Sequence, residues 1–195
     1  MTGCGTTTYT DPDDFRLNVP GVSIALERVS DESFKARVAW VKMRHVALAL
    51  IDETAPRSAC VSAAALTVVL SFPLRGEPLW NGHKLGRGDI VLQAPGARLH
   101  QVAENGTRWG LISLARKDLA AYGRTLLGTG LKRIDGAQVL RPRAKAANAL
   151  LRVHTRACRL AATKPDIMAH REVARAIEQE LIVALVNVVA NAESA

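Results

Sequence analysis

The sequence predicts an α+β protein: a sandwich or barrel of short strands, followed by a helical pair or bundle. Three observations predict it. Apolar residues recur with period two or in short apolar runs through the first half, and with helical period through the second. Turn-forming residues punctuate the first half at short intervals, as in sheet proteins rather than in alternating βαβ units. Charge divides the same way: residues 1–112 hold 12 Lys/Arg and 11 Asp/Glu, whereas residues 113–195 hold 14 and 7.

The strands follow in order. Val22 to Val29 (VSIALERV) begins one. From Phe34 to Val41, Phe34, Ala36, Val38 and Trp40 alternate with Lys35, Arg37 and Ala39. Val46 to Ile51 (VALALI) is an apolar run, and Ser58 to Phe72 is long enough for two strands. Turns are marked by Pro20-Gly21, Ser30-Asp31, Thr54-Ala55-Pro56, Arg75-Gly76-Glu77-Pro78 and Asn81-Gly82. The last strand contains WGLISL, ending at Leu114. The first dozen residues carry no such pattern and read as a loose arm.

The helices come next. Arg116 to Leu127 is the first, stopped by Gly128 and Gly130. The second runs from about Arg141-Pro142 to Ala162, with proline in its first turn, where the missing N–H is harmless. Pro165-Asp166 interrupts, and the third runs from Glu172 to Ala190. These readings divide the chain into an arm (1–14), a strand domain (15–114) and a helical subdomain (115–195).

On the second helix, Arg141, Lys145, Arg152, Arg156 and Arg159 fall within about 60° of one another, opposite Leu150, Leu151, Val153, His154, Ala157, Cys158 and Ala161. The basic ridge reads as a solvated face, with binding to phosphates or an acidic partner as the alternative, and His154 and Cys158 read as core. On the third helix, Val173, Ile177, Leu181, Ala184, Leu185 and Val188 make one apolar face. Ile182, Val183, Val186 and Val189 continue round the other side. A helix apolar on most sides must be covered on most sides, so these four are the expected homodimer interface.

Composition excludes several classes. With 195 residues, 48% apolar and 23% charged, the chain can bury a full core, and wholesale disorder is excluded. No apolar stretch approaches the ~20 residues of a bilayer span, so no membrane role is expected. The N-terminus lacks the basic and apolar regions of a secretory signal. Cys4, Cys60 and Cys158 are odd in number and show no metal-ligand spacing; they read as buried thiols in a reducing cytoplasm. There is no Gly-x-Ser-x-Gly, Walker loop, Cys-x-x-Cys or His-Glu-x-x-His. No catalytic residue, metal or cofactor is expected, and His45, His83 and His170 receive no role. Aromatics at 4% of the chain leave little for a base-stacking platform.

The segment Leu85 to Asn105 (LGRGDIVLQAPGARLHQVAEN) resembles the second half of the cupin signature, with Gly88, Pro95, Gly96, His100 and Asn105 at the motif positions. The first half, a His-x-His with a following Glu, is missing; Val61 to Phe72 has no histidine. The resemblance implies a cupin-like barrel without its metal, a container for a small molecule or a scaffold.

Such a barrel followed by long antiparallel helices resembles the N-terminal sensor domain of AraC/XylS-type transcription regulators. Arg108 to Leu126 is similar to their passage from the last barrel strand into the first helix, and Leu150 to Val186 to their helical pair. The resemblance implies a non-enzymatic bacterial domain that senses a small-molecule effector and dimerises. DNA would be read through a C-terminal helix-turn-helix region, which this sequence, stopping at Ala195, lacks; a fragment or a stand-alone sensor is expected, without sequence-specific DNA binding. The implied effector contacts are His100, at the inward-facing motif position, with Arg57, Trp40, Trp80 and Trp109 on or beside strands. A small cupin enzyme and a ligand-free assembly module are the alternatives.

Overall fold

The strands that read as uninterrupted apolar runs are covered on both faces. A computed structural model describes residues 3–29, 34–131 and 134–194. In chain order the elements are β1 (Gly3–Tyr9), β2 (Val22–Val29), β3 (Ala36–Lys42), β4 (Val46–Glu53), β5 (Arg57–Ala63), β6 (Thr67–Arg75), β7 (Leu79–Trp80), β8 (His83–Lys84), β9 (Ile90–Gln93), β10 (Arg98–Ala103) and β11 (Thr107–Ala115). Then come α1 (Arg116–Leu127), β12 (Ala137–Arg141), α2 (Ala144–Thr163), α3 (Pro165–Ala169), α4 (Arg171–Asn191) and β13 (Glu193–Ser194). Ser30-Asp31 lies outside the described residues.

Two antiparallel sheets and a helical layer stack in three tiers. The larger sheet has the order β1-β3-β4-β11-β6-β9-β12-β13, the smaller β2-β5-β10-β7-β8. Between the sheets lie Val38, Ala49, Ile51, Val69, Val91 and Leu111 from the larger, and Val61, Ala63, Trp80 and Leu99 from the smaller. On the larger sheet's other face, Val41, Leu48, Leu50, Leu70, Phe72, Leu92 and Ile112 pack against the helices. Each central strand thus serves two cores with alternate residues, which is why β4 reads VALALI rather than apolar-polar.

Three expectations change. Residues 3–9 are not a loose arm: β1 pairs antiparallel with β3, with Gly5 opposite Trp40. Its glycines have a purpose, since a Cβ on Gly5 would stand 3.0 Å from the Trp40 ring. The second helix begins at Ala144, because residues 137–140 pair with β9 instead. Pro142 therefore precedes the helix, and Arg141 leaves the basic ridge for a strand. Cys158 is buried as expected, but Cys4 and Cys60 are only half-buried.

The fourth correction concerns α4. It packs against α1, α2 and α3. Ile182 and Val186 are buried in the core shared by the helices and the larger sheet, and Val189 packs on its edge. Of the four residues expected to meet a second subunit, only Val183 is exposed, at 45%. The helix is apolar on most sides because its own domain covers most sides.

One polar pin holds α2 to the sheet. His154 is fully buried, and its Nε2 lies 2.9 Å from the Ala49 carbonyl of β4 and 3.2 Å from the Leu111 carbonyl of β11. Both partners are acceptors, so Nε2 carries the proton and donates. Gly110 makes room: a Cβ there would come within 2.8 Å of His154 Cε1 and 2.6 Å of Phe72 Cζ. Burial pushes the His154 pKa down to about 4.

Two outcomes are expected. As pH falls from 6.5 towards 4, the unfolded chain's histidine takes up a proton that folded His154 refuses. Stability is therefore lost across that window, by about 3 kcal/mol. Urea unfolding at pH 7 and pH 4.5 should show a larger loss in the native chain than in His154→Gln. Val186→Glu should unfold the domain, since an unpaired buried charge costs several kcal/mol. Val183→Glu, at an exposed position, should leave the domain folded, as followed by circular dichroism.

Candidate functional site

The chain passes from the larger sheet to the smaller in three residues, Thr54-Ala55-Pro56, between the end of β4 and the start of β5. Glu53 and Arg57 flank this corner and both point into the space between the sheets. Arg57 Nε donates to both Glu53 carboxylate oxygens at 3.1 Å, and Nη2 donates to Oε2 at 2.7 Å. Nη2 also donates to Gln101 Oε1 at 3.1 Å. Trp109 Nε1 donates to Glu53 Oε2 at 3.1 Å, and the guanidinium carbon lies 5.8 Å from the Trp109 ring centre. Trp80 meets Trp109 edge to face at 6.2 Å. Arg57 is 4% exposed and Glu53 is fully buried.

Three expected site residues, Arg57, Trp80 and Trp109, thus come together between the sheets; Arg57 is no surface charge. Four polar atoms there have no partner: Arg57 Nη1, Gln101 Nε2, Gln93 Oε1 and the Ser71 hydroxyl. Leaving such groups unpaired is costly, and they mark an interior more polar than packing requires.

Trp80 separates this network from an open cleft. The turn Asn81-Gly82 joins β7 to β8, with φ of 47° and 79°. Two positive φ values make the primed turn that Asn-Gly favours in a two-residue hairpin. The hairpin forms one wall of a cleft of about 330 Å³, whose lining includes Trp80, Leu85, Val91 and Leu99. The rim carries Asn81, His83, Lys84, Gln138 and Arg141. Arg141 Nε stands 3.8 Å from Asp89.

His100 does not take the inward position. On β10, Leu99, Gln101 and Ala103 are buried, so His100 and Arg98 face outward. Its Nε2 lies 2.9 Å from Glu27 Oε2 on the open face of the smaller sheet. Its backbone does serve the cleft. The His100 N–H donates to Asn81 Oδ1 and its carbonyl accepts from the Asn81 N–H, both at 2.8 Å, fastening the hairpin. Trp40 lies elsewhere, half-buried beneath β1, with Lys42 Nζ 5.0 Å from its ring centre. The cupin-type glycines shape turns: Gly88 and Gly96 have φ of 100° and 78°.

Sequence reasoning missed Glu53, Gln93 and Gln101. The signal was available: Glu53 continues the inward alternation Ala47, Ala49, Ile51, and Gln101 follows Leu99 by two. Metal binding gains no support from geometry, since no group of three or more His, Cys, Asp or Glu residues able to hold an ion exists among the described residues.

No protein-family model and no curated protein matches the sequence. Solved structures do match by fold. The AraC-like transcriptional activator CuxR superposes with a TM-score of 0.58 at 14% identity, over 90% of this chain and 64% of that one. This chain thus spans less than two thirds of that activator's length. An RmlC-like cupin from Shewanella frigidimarina aligns over 47% of this chain and 86% of its own, at 19% identity and a TM-score of 0.35. The protein Ylba from E. coli aligns over 73% and 60%, at 12% identity and a TM-score of 0.37. The likeness to CuxR spans most of this chain, sheets and helices together, and the chain has an α+β fold of the kind found in that AraC-like activator.

The buried network sets a contrast in energetics. Removing one partner of a buried pair strands the other's charge, so Arg57→Ala should destabilise the domain by about 3–5 kcal/mol. The exposed Arg75–Asp52 pair, at 2.8 Å, should lose less than about 1 kcal/mol on Arg75→Ala. Urea midpoints of the two variants measure the difference.

Proposed function

We propose that the chain is the effector-sensing and dimerisation part of an AraC-type transcription regulator, with the cleft beside Trp80 as its effector site. One observation carries this reading: 90% of the chain follows the fold of an AraC-like activator, helical layer included. The cleft adds local support. It is concave, with an apolar floor and a few polar groups at its rim, the common make-up of a small-molecule site. Behind Trp80 lie the unpaired Arg57 and Gln101 donors, an inner polar layer for a ligand that displaces the ring.

The proposed role is non-enzymatic and cytoplasmic. No helix among the described residues is long and apolar enough to cross a membrane. DNA reading is assigned to a helix-turn-helix region outside the 195 residues, not to the basic side of α2. Arg156 of that side pairs with Glu180 of α4, which fits a solvated helix surface. Dimerisation is assigned to the outer side of α4 at Val183, the part of the expected interface left exposed.

A thermal-shift screen of the purified chain against small metabolites, with and without divalent metals, tests the effector site. A ligand at a hundred times its Kd adds about 2.7 kcal/mol to the folded state, or roughly 5–10 °C at this size. The expected hit needs no metal, changes tryptophan emission and weakens in Gln138→Ala. Hits that appear only with metal, or none at all, overturn the sensor reading. A monomeric mass by light scattering at micromolar concentration overturns the dimer.

A further inference from the structure

A second hollow, larger than the cleft, lies where the β3–β4 hairpin meets the start of α4. Its volume is about 750 Å³. Met43, Arg44 and His45 line it from the hairpin, Tyr122 from α1, and Arg171, Ala174, Arg175, Glu178 and Ile182 from α4. Three guanidiniums therefore face one hollow. Arg44, Arg171 and Arg175 are all exposed, and none makes an ion pair among the described residues.

The carboxylates nearby are already engaged. Glu178 is buried, and its Oε1 accepts from the His45 N–H at 2.6 Å and the Val46 N–H at 3.1 Å, tying α4 to the hairpin. Asp118 Oδ2 faces His45 Nδ1 at 3.2 Å. Arg171 and Arg175 are one turn apart on α4, so their positive charges share a helix face. A like-charged pair at that spacing destabilises a helix unless a counter-charge sits between them. Of the acidic residues within a turn of Arg175, Glu178 is turned to the hairpin N–H groups, and Glu172 makes no ion pair among the described residues. Both arginines stand in the first turns of α4, where the helix end favours an anion. Its preceding residue, His170, makes no capping side-chain hydrogen bond.

The remaining lining is not suited to a bare inorganic ion alone. Tyr122 meets His45 edge to face at 5.9 Å, and Met43 and Ile182 are buried apolar residues. We infer that this hollow is an anion site for an organic phosphate: Arg44, Arg171 and Arg175 hold the phosphates, and the Tyr122–Met43–Ile182 side receives the organic body. Guanidinium is the side chain whose planar fork matches phosphate oxygens two at a time. The inference is independent of the effector reading for the cleft. The site joins α4, α1 and the β3–β4 hairpin, so its occupant would brace the helical layer against the sheet.

Isothermal titration of the 195-residue chain at low salt, with inorganic pyrophosphate and then ADP as probes, tests it. Both should bind, with ADP tighter than pyrophosphate. The double variant Arg171→Gln/Arg175→Gln exchanges exposed side chains and should stay folded; it should lose at least about tenfold in affinity for both probes. Lys84→Gln/Arg141→Gln at the cleft rim should leave both affinities unchanged. Failure of either probe to bind at millimolar concentration overturns the site. So does an affinity that the α4 double variant leaves intact, or one that both double variants reduce alike, which would mark general attraction to a basic protein. ADP binding no tighter than pyrophosphate overturns the organic half of the inference.

Discussion

The corner between β4 and β5 is the constraint on which the interior depends. A chain that leaves one sheet for the other in three residues must turn its flanking side chains into the gap, and here these are a carboxylate and a guanidinium. Neither could stay there alone. Each is held by the other, by Trp109 Nε1 and by Gln101 Oε1, so the charges fix how the two sheets meet at this end. An apolar pair of similar volume would fill the space with less electrostatic risk. The arrangement actually found leaves donors to spare, and those donors sit one tryptophan away from open solvent.

That geometry joins the fold to the functional reading. The primed Asn81-Gly82 turn is short, and the backbone of His100 fastens it. The hairpin presents Trp80 with one side to the cleft and its edge to Trp109. A ligand in the cleft therefore touches the ring that seals the polar interior. Substitution at the rim and rearrangement of the interior are separable in this design, because rim and network share only Trp80.

Much of this was legible in the residues, and the failures have physical causes. Val22–Val29, Val46–Ile51 and the strand WGLISL ending at Leu114 were readable from apolar runs and bounding turns, short of the observed ends at Glu53 and Ala115. The helices from Arg116 and Glu172 were readable from period and breakers. β1 was not, because GCGTTTY has no apolar alternation; its stability comes from pairing with β3 and from Trp40 beneath its glycines. His100 was misplaced because motif spacing was followed over strand period, and strand period puts Leu99 and Gln101 inside. The start of α2 was misplaced because proline suits a first turn, whereas residues 137–140 are claimed by the edge of β9. Val186 was assigned to a partner because periodicity counts apolar faces and cannot count neighbours. The arginines around the second hollow come from residues 44, 171 and 175, a convergence no local pattern announces.

One consequence follows from the pin between α2 and the sheet. A single ring nitrogen reaches carbonyls on two adjacent strands, β4 and β11, through a gap opened by Gly110. Apolar contacts alone would let a helix slip along a sheet by small steps, since one methyl can replace another. A bifurcated hydrogen bond in a dry interior has no second position to occupy. The helical layer is thus indexed lengthwise to the central strands, like a gear tooth in its slot. Any change in the spacing of β4 and β11 reaches α2 as movement of the whole rod rather than as local repacking.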